Sequence, residues 1–202
     1  MSKVDVSLVG GPLMELTDQL KGENGAERLA EFNLWLKGVA GKLLKHLRDV
    51  RLDVVTRFVA SEKFTKSNPL VKFWYFGENF VTHFGSRIEE NISATTIAVS
   101  RLERRAKDPE IKATLAGGET VRVFTISLAH FYQMIETQGH GQAGTLLVDG
   151  KANIDYIDGV DNWTVYAFLS AGFGWHVDAI SVDYPDPWYD EYQVLSRKSS
   201  GI

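Results

Sequence analysis

The chain of 202 residues is 44% hydrophobic, 24% charged and 11% aromatic, a balance that supports a buried core and excludes wholesale disorder. It has no cysteine, which removes disulfides, thiolate zinc sites and cysteine nucleophiles. Its net charge of −4 is uneven: residues 1–140 carry 19 Lys/Arg against 17 Asp/Glu, whereas residues 141–202 carry three against nine. This lacks the concentrated basic field that nucleic-acid binding needs, so no nucleic-acid partner is expected.

No apolar run reaches the ~20 residues of a membrane helix, so no transmembrane segment is expected. Met1-Ser2-Lys3-Val4-Asp5 is not the start of a long apolar leader. The expectation is a soluble chain made in the cytoplasm without a Sec signal peptide, which acts beyond it only after export by another route.

In chain order, Gly10-Gly11-Pro12 breaks the backbone and Pro12 opens a short helix to Leu20. Leu29, Phe32, Leu36, Val39, Leu43, Leu47, Val50, Val54 and Phe58 recur every three or four residues, and this stripe predicts one long amphipathic helix. Its Lys37, Lys42, Lys45, Arg48 and Arg51 read as a solvated face, since Asp49 and Asp53 interrupt them. Asn68-Pro69 caps a second helix, Leu70 to Phe84, whose Phe73-Trp74-Tyr75-Phe76 run reads as core. Ile88 to Lys107 reads as a third helix, and Asp108-Pro109 starts a fourth that stops at Gly117-Gly118.

The period then changes. Thr120–Ile126 alternates as a strand, and Ser127 caps a short helix through Glu136. Leu146–Val148 and Ala152–Ile154 flank Asp149-Gly150, a hairpin signal. Trp163–Ser170, Trp175–Tyr184 and Trp188–Ser196 read as three further strands. Helices first and strands afterwards predict an α+β fold: an N-terminal helical layer packed on a C-terminal, mostly antiparallel sheet of about five strands. A soft boundary near 117 divides a helical region, 1–117, from a β-rich region, 118–202, within one compact unit.

No P-loop, dinucleotide fingerprint, zincin helix or nucleophile elbow is present. His46, His83, His130, His140 and His176 include no pair at i, i+4, so no preformed two-histidine metal face is expected. His176 draws most interest, because it follows a glycine turn in the acidic region. The densest polar constellation is Asp178, Asp183, Asp186, Asp190 and Glu191, threaded by Tyr184, Trp188, Tyr189 and Tyr192 and closed by Arg197. Clustered carboxylates repel one another, a cost relieved by a hard cation or a cationic group. The plainer reading is a solvated acidic edge that discourages sheet aggregation.

In that constellation Tyr189-Asp190 is followed, after Glu191-Tyr192-Gln193-Val194-Leu195, by Ser196-Arg197. The pattern resembles the D-x-Y-D, five residues, H-R motif of the colicin M-like bacteriocins over about the last 35 residues. Pro187 stands at the first aspartate's place, with Asp186 one residue earlier, and Ser196 stands at the histidine's. The resemblance implies an antibacterial toxin domain, a Mg2+-dependent phosphodiesterase that hydrolyses a lipid-linked peptidoglycan precursor. It makes Asp190 the principal catalytic carboxylate and Asp186 a second one, both holding the metal. Tyr189 becomes a positioning group and Arg197 a phosphate-orienting cation. The alternative is a non-enzymatic interaction module, such as an immunity, phage or adaptor protein, that binds a basic partner through the acidic aromatic C-terminal edge. A third reading is a small-molecule site between the aromatic helix and the sheet.

Overall fold

The structure is a computed structural model that describes residues 43–117 and 124–198. Strand, not helix, predominates among these residues, which corrects the expected α+β layering: among the described residues no helical layer precedes the sheet. Chain order gives β1 (Leu44–Leu52), β2 (Val55–Val59), α1 (Ala60–Lys63), β3 (Phe73–Phe76), α2 (Glu78–Phe84), β4 (Ile88–Ile92) and β5 (Thr95–Leu102). It continues with α3 (Asp108–Ala116), α4 (Leu128–Glu136), β6 (Asn153–Asp155), β7 (Trp163–Ser170), β8 (Gly174–Ser181) and β9 (Gln193–Arg197).

Seven strands form one mixed sheet in the order β1-β5-β9-β6-β7-β8-β3, and β2 pairs with β4 in a separate ribbon. β3 runs parallel to β8 and β6 parallel to β9, while the other pairs are antiparallel. The sheet interleaves strands from both sides of residue 117.

Three expected helices give way to strands in whole or in part; the expected helix 70–84 keeps its second half as α2 and ends at Gly85. Within 43–58 the helical stripe depended on Leu47 and Val54, which are 38% and 66% exposed and contribute nothing to the core. β1 instead sends Val50 and Leu52 inward at a spacing of two, with a register shift between His46 and Arg48. Its Lys45, Arg48, Asp49 and Arg51 line the sheet's outer edge, where charge discourages pairing with another sheet. The aromatic run 73–76 is strand β3: Phe73 turns into the core while Trp74 and Tyr75 stay exposed. Gly77 then lets the chain pass close to β8, since a Cβ there would lie 1.7 Å from Asp178 Oδ1. Residues 88–107 divide into β4 and β5, whose β-branched Thr95, Thr96, Ile97 and Val99 suit a pleated surface. The expected helix 12–20, and the long helix before residue 43, lie outside the described residues.

Other expectations hold. β7 covers Trp163–Ser170 as read, α3 starts at Asp108-Pro109 and stops before Gly117, and Ser127 caps α4, its hydroxyl accepting from His130 N–H at 3.1 Å. Most of the expected strand 120–126 lies outside the described residues, and Ile126 makes a single parallel bridge to Ile157. The Asp149-Gly150 turn exists, with Gly150 at φ +89°, but no hairpin forms around it. The Asn153 side chain closes that loop instead, accepting from Leu147 N–H at 2.8 Å and donating to Leu147 C=O at 3.1 Å. It takes the place of a second strand.

The two faces of the sheet are covered unequally. One face carries Ile97, Val99, Val165, Ala167, Trp175, Val177 and Leu195. It packs under α4 and a cluster of Phe58, Phe64, Phe73, Phe80, Phe84 and Tyr132. Trp175, fully buried there, donates its indole N–H to Gln138 C=O at 2.9 Å. On the other face, Leu102, Ile154 and Val194 pack with Ile111 of α3. α3 packs on the β5-β9-β6 portion and touches β7 through Asp108 and Thr164, so the remaining side chains of β7 and β8 on that face meet a cleft instead of a helix.

Candidate functional site

That cleft is the candidate site, with a volume of about 370 Å³. Its sheet side is built by alternation along two antiparallel strands: Tyr166 and Phe168 from β7, and Ile180 from β8. Its outer wall is the segment after β8, where Tyr184, Asp186, Pro187, Trp188, Tyr189 and Tyr192 line the space. A two-way backbone bridge holds this segment in place, with Trp188 N–H to Ala106 C=O at 2.8 Å and Ala106 N–H to Trp188 C=O at 3.2 Å.

Tyr166 and Phe168 lie nearly parallel, with planes at 11°, and the rings of the outer segment meet at steeper angles. Trp188 stands edge-on to Tyr166, with centroids 5.3 Å apart and planes at 67°. Tyr192 lies 6.3 Å from Trp188 and 5.8 Å from Tyr189. The Arg105 guanidinium, from outside the pocket lining, lies 4.3 Å over the Tyr189 ring.

Asp108, at the first turn of α3, supplies the inner carboxyl and is only 4% exposed. Its Oδ1 accepts from Tyr156 Oη at 2.6 Å and Thr164 Oγ1 at 2.9 Å. Burial raises its pKa, and hydrogen bonding from Tyr156, Trp188 and Thr164, with the Lys112 charge, opposes the rise. Burial, followed by the Asp178 carboxylate, pushes the Tyr166 phenol up to about 12, so it remains a hydrogen-bond donor at neutral pH. Burial and then Tyr189 also raise Tyr192.

Beside the cleft, His176 is sandwiched between Phe168 at 4.4 Å and Tyr75 at 4.7 Å, with its Nε2 3.9 Å from Asp178 Oδ2. Burial lowers its pKa and Asp178 opposes this. The imidazole is therefore neutral at pH 7 and extends the aromatic surface.

The structure separates the residues that the sequence groups together. Asp186 and Tyr189 stand in the cleft wall. Asp190 is exposed in the turn beyond them and does not line the cleft. Arg197 lies in a different groove, lined also by His46, Asp49 and Lys198, and donates to Asp158 Oδ2 at 2.8 Å. Asp186 and Asp190 are the carboxylates expected to hold Mg2+. Among the described residues, no group of three or more His, Asp or Glu side chains is placed to hold a metal ion.

Two features escape the sequence reading. Asp108 reads there as a helix starter, and only the packing of α3 against β7 takes its carboxyl to the cleft. Asp155 on β6 is fully buried, and neither carboxylate oxygen has a formed hydrogen bond; the Tyr156 amide only leans toward it. Burial raises its pKa far above the ordinary 3.8, and the Asp158 and Glu89 carboxylates add to the rise. Glu89 itself accepts from the Leu128 and Ala129 amides at the start of α4, at 3.1 and 2.8 Å, and from Arg87 at 2.6 Å.

No described helix is long and apolar enough to cross a membrane. No protein-family model matches the chain, and neither a curated protein nor a solved structure matches it.

Proposed function

We propose that the chain is a recognition module that holds a cationic side chain of a basic protein partner in the aromatic, acidic cleft. One observation carries this reading. Six aromatic side chains and the carboxyls of Asp108 and Asp186 line the space, and no Lys, Arg or His is among the lining residues. An aromatic wall attracts a cation through its ring quadrupole, and the carboxylates supply the opposite charge. A phosphodiesterase needs Asp186, Asp190 and Arg197 around one phosphate. Asp186 and Arg197 line separate cavities, so the binding reading is adopted.

The test is titration of the protein with a Lys/Arg-rich peptide and with its Asp/Glu-rich counterpart, followed by calorimetry. The basic peptide should bind, the acidic one should not, and binding should weaken in salt. Asp186→Asn and Tyr189→Leu should each weaken the basic peptide several-fold without changing the melting temperature. Equal binding of the two peptides, or indifference to both variants, overturns the reading.

A further inference from the structure

Resting on that reading, we propose that the cleft is specific for a guanidinium group, so that its occupant is an arginine side chain and not a lysine.

Three observations point there together. First, a ring of the cleft wall already accepts a guanidinium from outside the lining: Arg105 lies 4.3 Å over the ring of Tyr189. A planar, weakly hydrated cation stacks on an aromatic face, whereas a compact ammonium gives up more hydration to do so.

Second, the interior carries a built acceptor. Asp108 is 4% exposed and lines the cleft. The Tyr156 and Thr164 hydroxyls both donate to its Oδ1, which fixes the orientation of the carboxyl. Lys112, the cation that faces Asp108 from its own helix, donates its ammonium to Asp161 C=O at 2.9 Å. It is not among the cleft residues.

Third, acceptors are spread over the cleft rather than gathered at one point. Asp108 stands at the sheet side, Asp186 stands in the outer segment, and Tyr166, Tyr184 and Tyr192, each with a hydroxyl able to accept, line the same space. Five donors spread over the three nitrogens of a planar fork reach such a set, while the three donors of an ammonium radiate from one nitrogen and reach only acceptors gathered around it.

The experiment uses Nα-acetyl-arginine methylamide, the matching lysine derivative and the matching citrulline derivative, a neutral isostere of arginine. Each is titrated into the full chain and followed by NMR chemical shifts or calorimetry. The arginine probe should bind about tenfold tighter than the lysine probe, and citrulline should not bind measurably. Asp108→Asn should abolish the arginine preference. Because Asp108 is buried, Tyr189→Leu and Asp186→Asn are measured alongside, and each should reduce the arginine-to-lysine ratio in a protein of unchanged melting temperature.

Equal affinity for arginine and lysine, or tight citrulline binding, overturns the inference but leaves a general basic-partner module standing if the Lys/Arg-rich peptide still binds. Failure of that peptide as well removes the underlying reading.

Discussion

Replacing Asp155 by Asn should make the protein more stable at neutral pH and leave it unchanged in acid. The carboxyl is completely buried on β6, with no formed hydrogen bond and two further carboxylates, Asp158 and Glu89, raising its pKa. Those two have their own partners in Arg197 and Arg87, and among the described residues no cation is paired with Asp155. The folded protein therefore holds Asp155 protonated well above the pH at which the unfolded chain ionises it. Below about pH 4 both states are protonated and the group has no effect on stability. As pH rises from there, the unfolded state gains stability by releasing the proton. The native state loses about 1.4 kcal/mol per pH unit until its own carboxyl ionises, after which the loss stays constant. For a chain of this size that slope is roughly 3–5 °C of melting temperature per pH unit. Asn resembles the protonated acid in shape and hydrogen-bonding need, so it keeps the acid-state stability and removes the slope. Thermal melts of both proteins across the range from about pH 4 to 8 supply a difference curve in which every other titrating group cancels. A flat difference curve, or a wild type that gains on the variant as pH rises, refutes the reasoning.

Arginine-probe affinity should fall as pH drops through the Asp108 pKa, which lies above 3.8, because the cation binds the carboxylate and its binding expels a proton; calorimetry in buffers of different ionisation enthalpy checks that release. Gly77→Ala should cost about 1–3 kcal/mol, since its Cβ would force Asp178 off the Ala179 amide it bonds at 2.7 Å. In an Asp178→Ala background, urea unfolding should show most of that cost gone. Trp175→Ala should cost about 3–5 kcal/mol through cavity formation in the main core, read from chemical denaturation. Glu89→Gln should destabilise by about 1–3 kcal/mol, because its charge serves two amides of α4 and the Arg87 guanidinium at once; faster hydrogen exchange at Leu128 and Ala129 is the local signature.

The sequence is informative where one physical cause acts alone. Ser127 is a helix cap with its hydroxyl on His130, and β7 alternates cleanly between the core side, Val165 and Ala167, and the cleft side, Tyr166 and Phe168. It misleads at 44–58, 70–76 and 88–107, where strand irregularities mimic a helical period, while the end of the expected helix 70–84 does form as α2. The register shift in β1 displaces the alternation just where Leu47 falls at the spacing expected of a helix. In β3, four consecutive aromatics conceal a two-in, two-out strand with its own register shift.

For the site, the acidic aromatic segment is visible as composition, and Asp186 and Tyr189 do reach the cleft. Arg197 does not, because on β9 it turns to Asp158. Asp108 and Asp155 are silent in the sequence, since their importance comes from burial by segments distant along the chain.

The place of β9 bears on how the molecule is made. It lies between β5 and β6, yet it is the last strand along the described chain. Until the ribosome has released Gln193–Arg197, the nascent sheet stays as two unjoined pieces, each with an open, hydrogen-bond-hungry border. The cleft, whose wall is the segment leading into β9, is then completed only once that segment has emerged. Cotranslational folding thus leaves a window in which chaperones, or neighbouring chains, meet those borders first.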